Sequence, residues 1–336
     1  MLIRCLVLFG LLFLPEALLS QSLTIAFGSC SRQDLTDKQM WKEVIATTPD
    51  VWVWTGDNIY ADTRDMAVMR QMYEKQKSHP DYQELLKTAT VYGTWDDHDY
   101  GVNDGGKEFK SKQSSKEELL RFLDVPGDAA VRTHEGVYQS YDLKAGDQTV
   151  RLILLDTRYF RDKLTSSGKA GQRYEQNPEG DILGEEQWKW LEGELTRPGA
   201  SVRMLVTSIQ LIPEEQGFEK WANFPSARAR FMELINRTTP EGLFLVSGDR
   251  HMAETSRVPV QGLGYPLTEF TSSGLTHTWT RPGDEPNKRR IGNLVLERNF
   301  GLIRFFWEKG KVRLHYQVIG PSGIVLSEEH LAFLVR

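Results

Sequence analysis

Cysteine is scarce in this 336-residue chain, which has only two, and its seven histidines are scattered. A disulfide-stapled scaffold and a His-tract metal store are both excluded by that scarcity. Basic excess is lacking too: 41 Lys and Arg stand against 46 Asp and Glu, a net charge of −5. A nucleic-acid binder needs a basic face to neutralise phosphates, so no nucleic-acid partner is expected. Repeats, low-complexity tracts and long linkers are missing. Beyond residue 20, no apolar run approaches the roughly 20 residues that a spanning helix requires. What is present is ordinary globular material, 40% hydrophobic and 26% charged. Disorder, collagen and coiled coil are thereby ruled out, and the length allows one large α/β domain or two smaller ones.

The first 20 residues, MLIRCLVLFGLLFLPEALLS, have the layout of a secretory signal peptide. Arg4 gives the positive start, residues 5–14 the apolar core, Pro15 a break, and Ala17 and Ser20 small cleavage positions. A retained membrane anchor is the competing reading, disfavoured by the short apolar core. Cleavage would leave Cys30 as the sole cysteine of a secreted or periplasmic protein, with one domain over residues 21–336. A lone exported thiol is buried and inert, half of an intermolecular pair, or a metal ligand. One N-glycosylation tripeptide occurs at Asn236-Arg237-Thr238, meaningful only in a eukaryotic secretory pathway.

Short apolar strands then alternate with helical stretches. Strands are predicted at residues 23–27, 51–55, 91–94, 150–155, 202–207 and 243–247. Helices are predicted at 37–47, 66–77, 82–87, 119–123, 185–195 and 227–235. The C-terminal third instead reads as strands joined by turns, at 266–271, 294–297, 302–307, 312–319 and 324–326. Alternation followed by antiparallel pairing predicts an α/β fold, a four-layer α/β/β/α sandwich with mixed sheets.

Chemistry-bearing residues fall at the strand ends, where open α/β sheets bind ligands. The first strand leads to Cys30, and the second to Asp57 with Tyr60 three residues on. The third leads to Asp96-Asp97-His98-Asp99, and another to Asp249 and His251. Alone, an Asp after Gly is usually a turn residue, but four such clusters at equivalent places point to a metal site. Thiolate, phenolate, carboxylate and imidazole together suit a transition metal, and a phenolate favours Fe(III). Asp57, Asp97 and Asp249 form an all-oxygen set suited to Ca²⁺ or Mg²⁺. Zn²⁺ and Mn²⁺ stay open. Arg158, in Asp-Thr-Arg-Tyr-Phe-Arg after the most apolar strand, either grips a phosphoryl group or makes a structural ion pair. His277 reads as a supporting residue beside the ligands. Trp41, Trp52 and Trp54 read as core, and Trp279 and Tyr100 as pocket lining.

These blocks resemble the PhoD-like alkaline phosphatases, within the calcineurin-like metallophosphoesterases. They are FGSC (27–30), GDNIYAD (56–62), TWDDHD (94–99), LDTRYFR (155–161), SGDRHMAE (247–254) and EFTSSGLTH (269–277), in the family's order. The resemblance implies a sandwich fold, phosphoester hydrolysis and an iron–calcium centre. Cys30, Asp57, Tyr60 and His251 would hold Fe(III), Asp57 would bridge to Ca²⁺, and Asp97 and Asp249 would hold Ca²⁺. Asp97-His98 falls where the wider superfamily has a ligand followed by a catalytic His, which makes His98 the expected catalytic residue beside Arg158. Gly248-Asp249-Arg250-His251 replaces a Gly-His-X-His block. Ser208-Ile209-Gln210 sits where a His ligand is expected, so Gln210 is a candidate oxygen donor, with Asn58 and Asp96 as further candidates. Asn58 occupies a place where an aromatic is common. FGSC follows the leader directly, so the N-terminal β-rich domain of founding members is expected to be absent.

The implied reaction is hydrolysis of a small-molecule or lipid phosphoester. A phosphodiesterase or phospholipase D-type activity on the same metal core is the nearest alternative, and a non-catalytic metal-binding protein on this fold the alternative from another class. Residues 101–136 and 164–182, long and polar, are expected to shape the pocket.

Overall fold

The computed structural model describes residues 22–279 and 285–335. The leader reading at residues 1–20 lies outside the described residues. In chain order the N-terminal part runs β1 (Ser22–Gly28), α1 (Trp41–Ala46), β2 (Val51–Thr55), α2 (Met66–Lys77), α3 (Pro80–Thr88), β3 (Thr90–Thr94), α4 (Asp97–Tyr100) and α5 (Lys112–Phe122). The middle holds β4 (Gln139–Ala145), β5 (Gln148–Leu154), a hairpin of β6 (Ser166–Lys169) and β7 (Gln172–Tyr174), α6 (Gly184–Thr196), β8 (Val202–Thr207), α7 (Pro225–Thr238) and β9 (Leu243–Ser247). Six strands follow: β10 (Ala253–Val258), β11 (Leu267–Ser272), β12 (Arg290–Val295), β13 (Phe300–Glu308), β14 (Lys311–Ile319) and β15 (Val325–Leu334).

Two mixed sheets result. One has the order β15-β14-β13-β1-β2-β3, the other β12-β10-β11-β9-β8-β5-β4. β1, β2 and β3 are parallel, as are β5, β8, β9 and β11, while the hairpin-linked strands pair antiparallel. Alternation along each central strand builds the layers, because successive side chains point to opposite faces. Val51 and Val53 of β2 enter the core between the sheets, whereas Trp52 and Trp54 face α1 to α3. Likewise Val202, Met204 and Val206 of β8 join the inter-sheet core, and Leu205 meets α6 and α7. Three apolar clusters therefore separate four layers, and the sandwich read from the sequence is the observed fold. Helix ends are set locally: the Asp65 carboxylate accepts the Ala67 N–H at 2.8 Å, and Pro80 and Pro225 open α3 and α7. Among the described residues no helix is long and apolar enough to cross a membrane.

Several elements differ from expectation. The C-terminal strands divide, β10 to β12 joining one sheet and β13 to β15 the other. β15 runs ten residues where three were expected, because its polar residues alternate on an outer face. β4 and β10 went unseen for the same reason: AETSRV carries little apolar signal. Residues 101–136 mostly pack, and the surface grooves lined by Glu117, Asp124 and Arg132 include none of the candidate ligands. Leu119 and Phe122 of α5 are buried against the helical layer, and Glu118 holds Arg70 of α2 at 2.7 Å. Residues 164–182 contain the β6–β7 hairpin, which does line a groove.

Candidate metal centre

The carboxyl ends of β1, β2, β3 and β9 deliver the candidate ligands to one place. Each chain must turn sharply there, and four non-glycine residues take left-handed backbone: Cys30 (φ 60°), Asp57 (φ 50°), Asp249 (φ 67°) and His251 (φ 52°). Such conformations cost of order 1–3 kcal/mol each and persist where surrounding structure enforces them. Gly56 precedes Asp57 with φ 107°, and a Cβ there would stand 2.5 Å from the Asp96 Cβ. Gly56→Ala is therefore expected to push apart the ends of β2 and β3. Its metal content, read by plasma mass spectrometry, should fall together with its melting temperature; an unchanged metal content would show that the turn does not set the spacing.

Asp57 is the hub. Its Oδ2 lies 3.5 Å from the Cys30 Sγ and accepts from the Tyr60 hydroxyl at 3.3 Å. Its Oδ1 faces the His98 backbone N–H at 3.4 Å, beside Asp97 Oδ1 at 2.9 Å. Ligand atoms of Asp57, Asp97 and His98 all lie within 4.8 Å of one another, as do those of Asp96, Asp97 and Asp249. His251 sits across Tyr60, with ring centroids 6.3 Å apart, and its buried Nδ1 has no hydrogen-bond partner. His277 packs on both, 4.4 Å from His251 and 5.2 Å edge-on to Tyr60.

The electrostatics call for a cation. Burial, and then repulsion from Asp96 and Asp97, push Asp57 and Asp249 well above the usual carboxylate range, against the opposing pull of His98 on Asp57 and of Arg250 on Asp249. Burial likewise raises the Cys30 thiol and the Tyr60 phenol, and Asp57 adds to both. Burial and His277 lower His251 to about 3, leaving its imidazole neutral and free to ligate. Burial opposes charge on His98, yet Asp57, the Asp62 hydrogen bond and Asp97 together drive it up to about 11. Clustered buried carboxylates cannot all ionise without compensating positive charge. One side offers thiol, phenol and imidazole, the other oxygen alone, so the donor types fit a transition-metal ion beside an ion that prefers oxygen.

Some expected roles need correction. Arg158 is fully buried and committed: it lies 2.5 Å from Asp96 Oδ1 and 2.6 Å from Glu219 Oε2. That arrangement matches the structural ion-pair reading, with Nη2 the one guanidinium nitrogen that lacks a hydrogen-bond partner. The Gln210 amide nitrogen donates to Glu254 at 2.7 Å and to Thr271 at 3.0 Å, and its Oε1, the candidate donor atom, is buried without a hydrogen-bond partner. Ser208 is the residue of that segment that reaches the cluster, its Oγ donating to Asp96 Oδ1 at 2.6 Å. The Asn58 amide donates to the Thr94 carbonyl, bracing β2 against β3. Tyr100 is buried with its hydroxyl on the Gly106 carbonyl, whereas Trp279 is 39% exposed and meets the edge of His251 at 5.5 Å. Together with Phe218, Lys169 and Arg173, Trp279 lines a groove of about 610 Å³ beside the cluster.

Two residues had not been singled out. Asp62 Oδ2 stands 2.8 Å from His98 Nδ1, and its place inside GDNIYAD was the available signal. Glu219 holds both Arg158 and Arg161, and nothing local in the sequence marks it.

The chain matches the family model described as PhoD-like phosphatase over residues 25–316. It is 21% identical to alkaline phosphatase D of Bacillus subtilis (strain 168) over 328 residues, covering 87% of this chain and 56% of that protein. The chain thus spans little more than half the length of that curated relative. The solved structure titled "Structure of PhoD" shares the fold, with a TM-score of 0.69 at 17% identity, over 94% of this chain and 70% of that one.

Proposed function

The chain belongs to the PhoD-like phosphatase family, and from that premise we propose that it is a metal-dependent phosphoester hydrolase, an alkaline phosphatase acting on phosphomonoesters. Convergence of Cys30, Asp57 and Tyr60 with Asp97 and Asp249 at the strand ends is the observation that carries this reading. In it, Cys30, Tyr60 and His251 would hold Fe(III), Asp97 and Asp249 would hold Ca²⁺, and Asp57 would serve both. One domain over residues 21–336, exported by its leader, is part of the same proposal. When bound, the ions supply Lewis acidity towards phosphoryl oxygens and activate water.

The chain's own residues do the rest. Asp62 orients the His98 ring through Nδ1, which leaves Nε2 to donate a proton to the leaving oxygen. Tyr60 stacks on His98 at 4.0 Å and limits its rotation. Positioned acid–base groups typically contribute about 10²–10⁴-fold. His98→Ala is therefore expected to lower kcat for 4-nitrophenyl phosphate by roughly that factor with metal content intact. Asp62→Asn should lower it by about tenfold or more, as loss of an orienting partner does. Loss of metal from His98→Ala would instead make His98 a ligand, which its place beside Asp57 and Asp97 also permits.

The groove along Trp279 and Phe218 favours a second reading, phosphodiester cleavage, since it offers room for a second ester arm. The rates on 4-nitrophenyl phosphate and bis(4-nitrophenyl) phosphate separate the two readings. No hydrolysis of either by metal-replete protein would leave a metal-binding protein without catalysis.

A further inference from the structure

A second set of metal-ligating side chains stands apart from the strand ends, on the outer face of the β14–β15 ladder. His315 and His330 are direct cross-strand partners in the antiparallel register. Their rings stack at 4.4 Å with 12° between planes. Glu328 lies two residues before His330, hence on the same face of β15, and its Oε2 is 2.9 Å from His315 Nε2. One ligand atom from each of the three falls within 4.8 Å of the others. We propose that His315, His330 and Glu328 form a surface site for a first-row divalent ion of the Zn²⁺, Ni²⁺ or Cu²⁺ class, separate from the candidate metal centre.

The donor set carries the choice of ion. Two neutral imidazoles and one carboxylate suit borderline ions, whereas Ca²⁺ and Mg²⁺ want oxygen donors. A simple His315–Glu328 ion pair accounts for two members but not for the second imidazole laid over the first. Two cations share this face: Arg304, opposite His315 on β13, is turned to the Gln317 amide oxygen Oε1 at 2.6 Å, and Arg313 pairs with Glu308. Bound there, the ion would add a cross-strand tie between the edge strand β15 and β14.

The test compares full-length protein with His330→Ala and Glu328→Gln, titrated with Ni²⁺ or Zn²⁺ alone by calorimetry. Wild type should bind one more equivalent than His330→Ala, and Glu328→Gln should bind that equivalent at least tenfold more weakly. Turnover of 4-nitrophenyl phosphate should be equal in all three, because the variants lie outside the candidate centre. Cu²⁺-loaded wild type should also show nitrogen hyperfine structure from two imidazoles at the extra site, lost in His330→Ala. Equal stoichiometry and equal affinity in wild type and His330→Ala would overturn the proposal. A loss of Ni²⁺ or Zn²⁺ binding in Cys30→Ser but not in His330→Ala would do the same, by placing all of the binding at the strand ends.

Discussion

Asp57→Asn is expected to remove bound metal and phosphoester turnover together. Both oxygens of Asp57 are in use, one towards Cys30 and Tyr60 and the other towards His98 and Asp97. An amide presents one weak acceptor oxygen and a nitrogen that cannot ligate, so both halves of the centre lose a donor. Loss of even an outer orienting group costs about 10–100-fold in metal affinity or activity, so loss of this shared carboxylate should exceed about 100-fold. The fold itself should survive. Burial and neighbouring carboxylates already hold Asp57 well above its normal range, which makes its charge a liability to the metal-free protein. In the presence of chelator, Asp57→Asn should accordingly melt at or above the wild-type temperature. Plasma mass spectrometry, 4-nitrophenyl phosphate turnover and a melt with chelator read the three parts. Full metal content with normal turnover would remove Asp57 from the centre.

Arg158→Ala is expected to be the most destabilising single change near the site. Its guanidinium sits between Asp96 and Glu219, all three buried, and Glu219 also meets Arg161 at 2.8 Å. Removing one partner of a buried pair leaves an uncompensated charge and costs about 3–5 kcal/mol. The loss should depend on pH, with a definite sign. Burial raises Glu219 from 4.5 to about 7 and Asp96 from 3.8 to about 6, even with Arg158 lowering both. A carboxyl whose folded pKa is raised favours the fold when protonated, and that contribution is lost as pH rises through the folded value. Without Arg158 both values move higher still. The stability gap between wild type and variant should therefore be widest above pH 7 and narrow towards pH 5, as Asp96 and Glu219 take up protons. Denaturant unfolding across that range, in chelator, measures it. A variant as stable as wild type, with KM raised for 4-nitrophenyl phosphate, would restore Arg158 to the substrate.

Arg158 and Asp57 differ in how far the local sequence places them. Asp57 and Asp249 each follow a buried apolar strand, and the in-register parallel strands β1, β2 and β3 bring Cys30, Asp57 and Asp97 side by side, whereas Asp249 arrives from the other sheet. Arg158 also follows an apolar strand, but its direction depends on Glu219, some 60 positions away on a segment with no periodic signal. Whether a buried guanidinium faces substrate or carboxylate is decided by that distant partner. Asp62 was hidden in a different way: it lies inside a quoted block, yet only folding brings its carboxylate to His98 Nδ1.

The sequence by itself determined the layered architecture, since largely apolar strand-length runs at Val51–Thr55 and Val202–Thr207 and helical spacing in Gly184–Thr196 leave few ways to bury both strand faces. It also determined which residue types gather at the strand ends, because those ends are local to each apolar run. Tertiary structure alone decided the division of the C-terminal strands between the two sheets, the burial of Arg158 and the meeting of His315 with His330. Each of these rests on pairing between segments distant along the chain or on register across a turn, and hydrophobic periodicity carries no information about either.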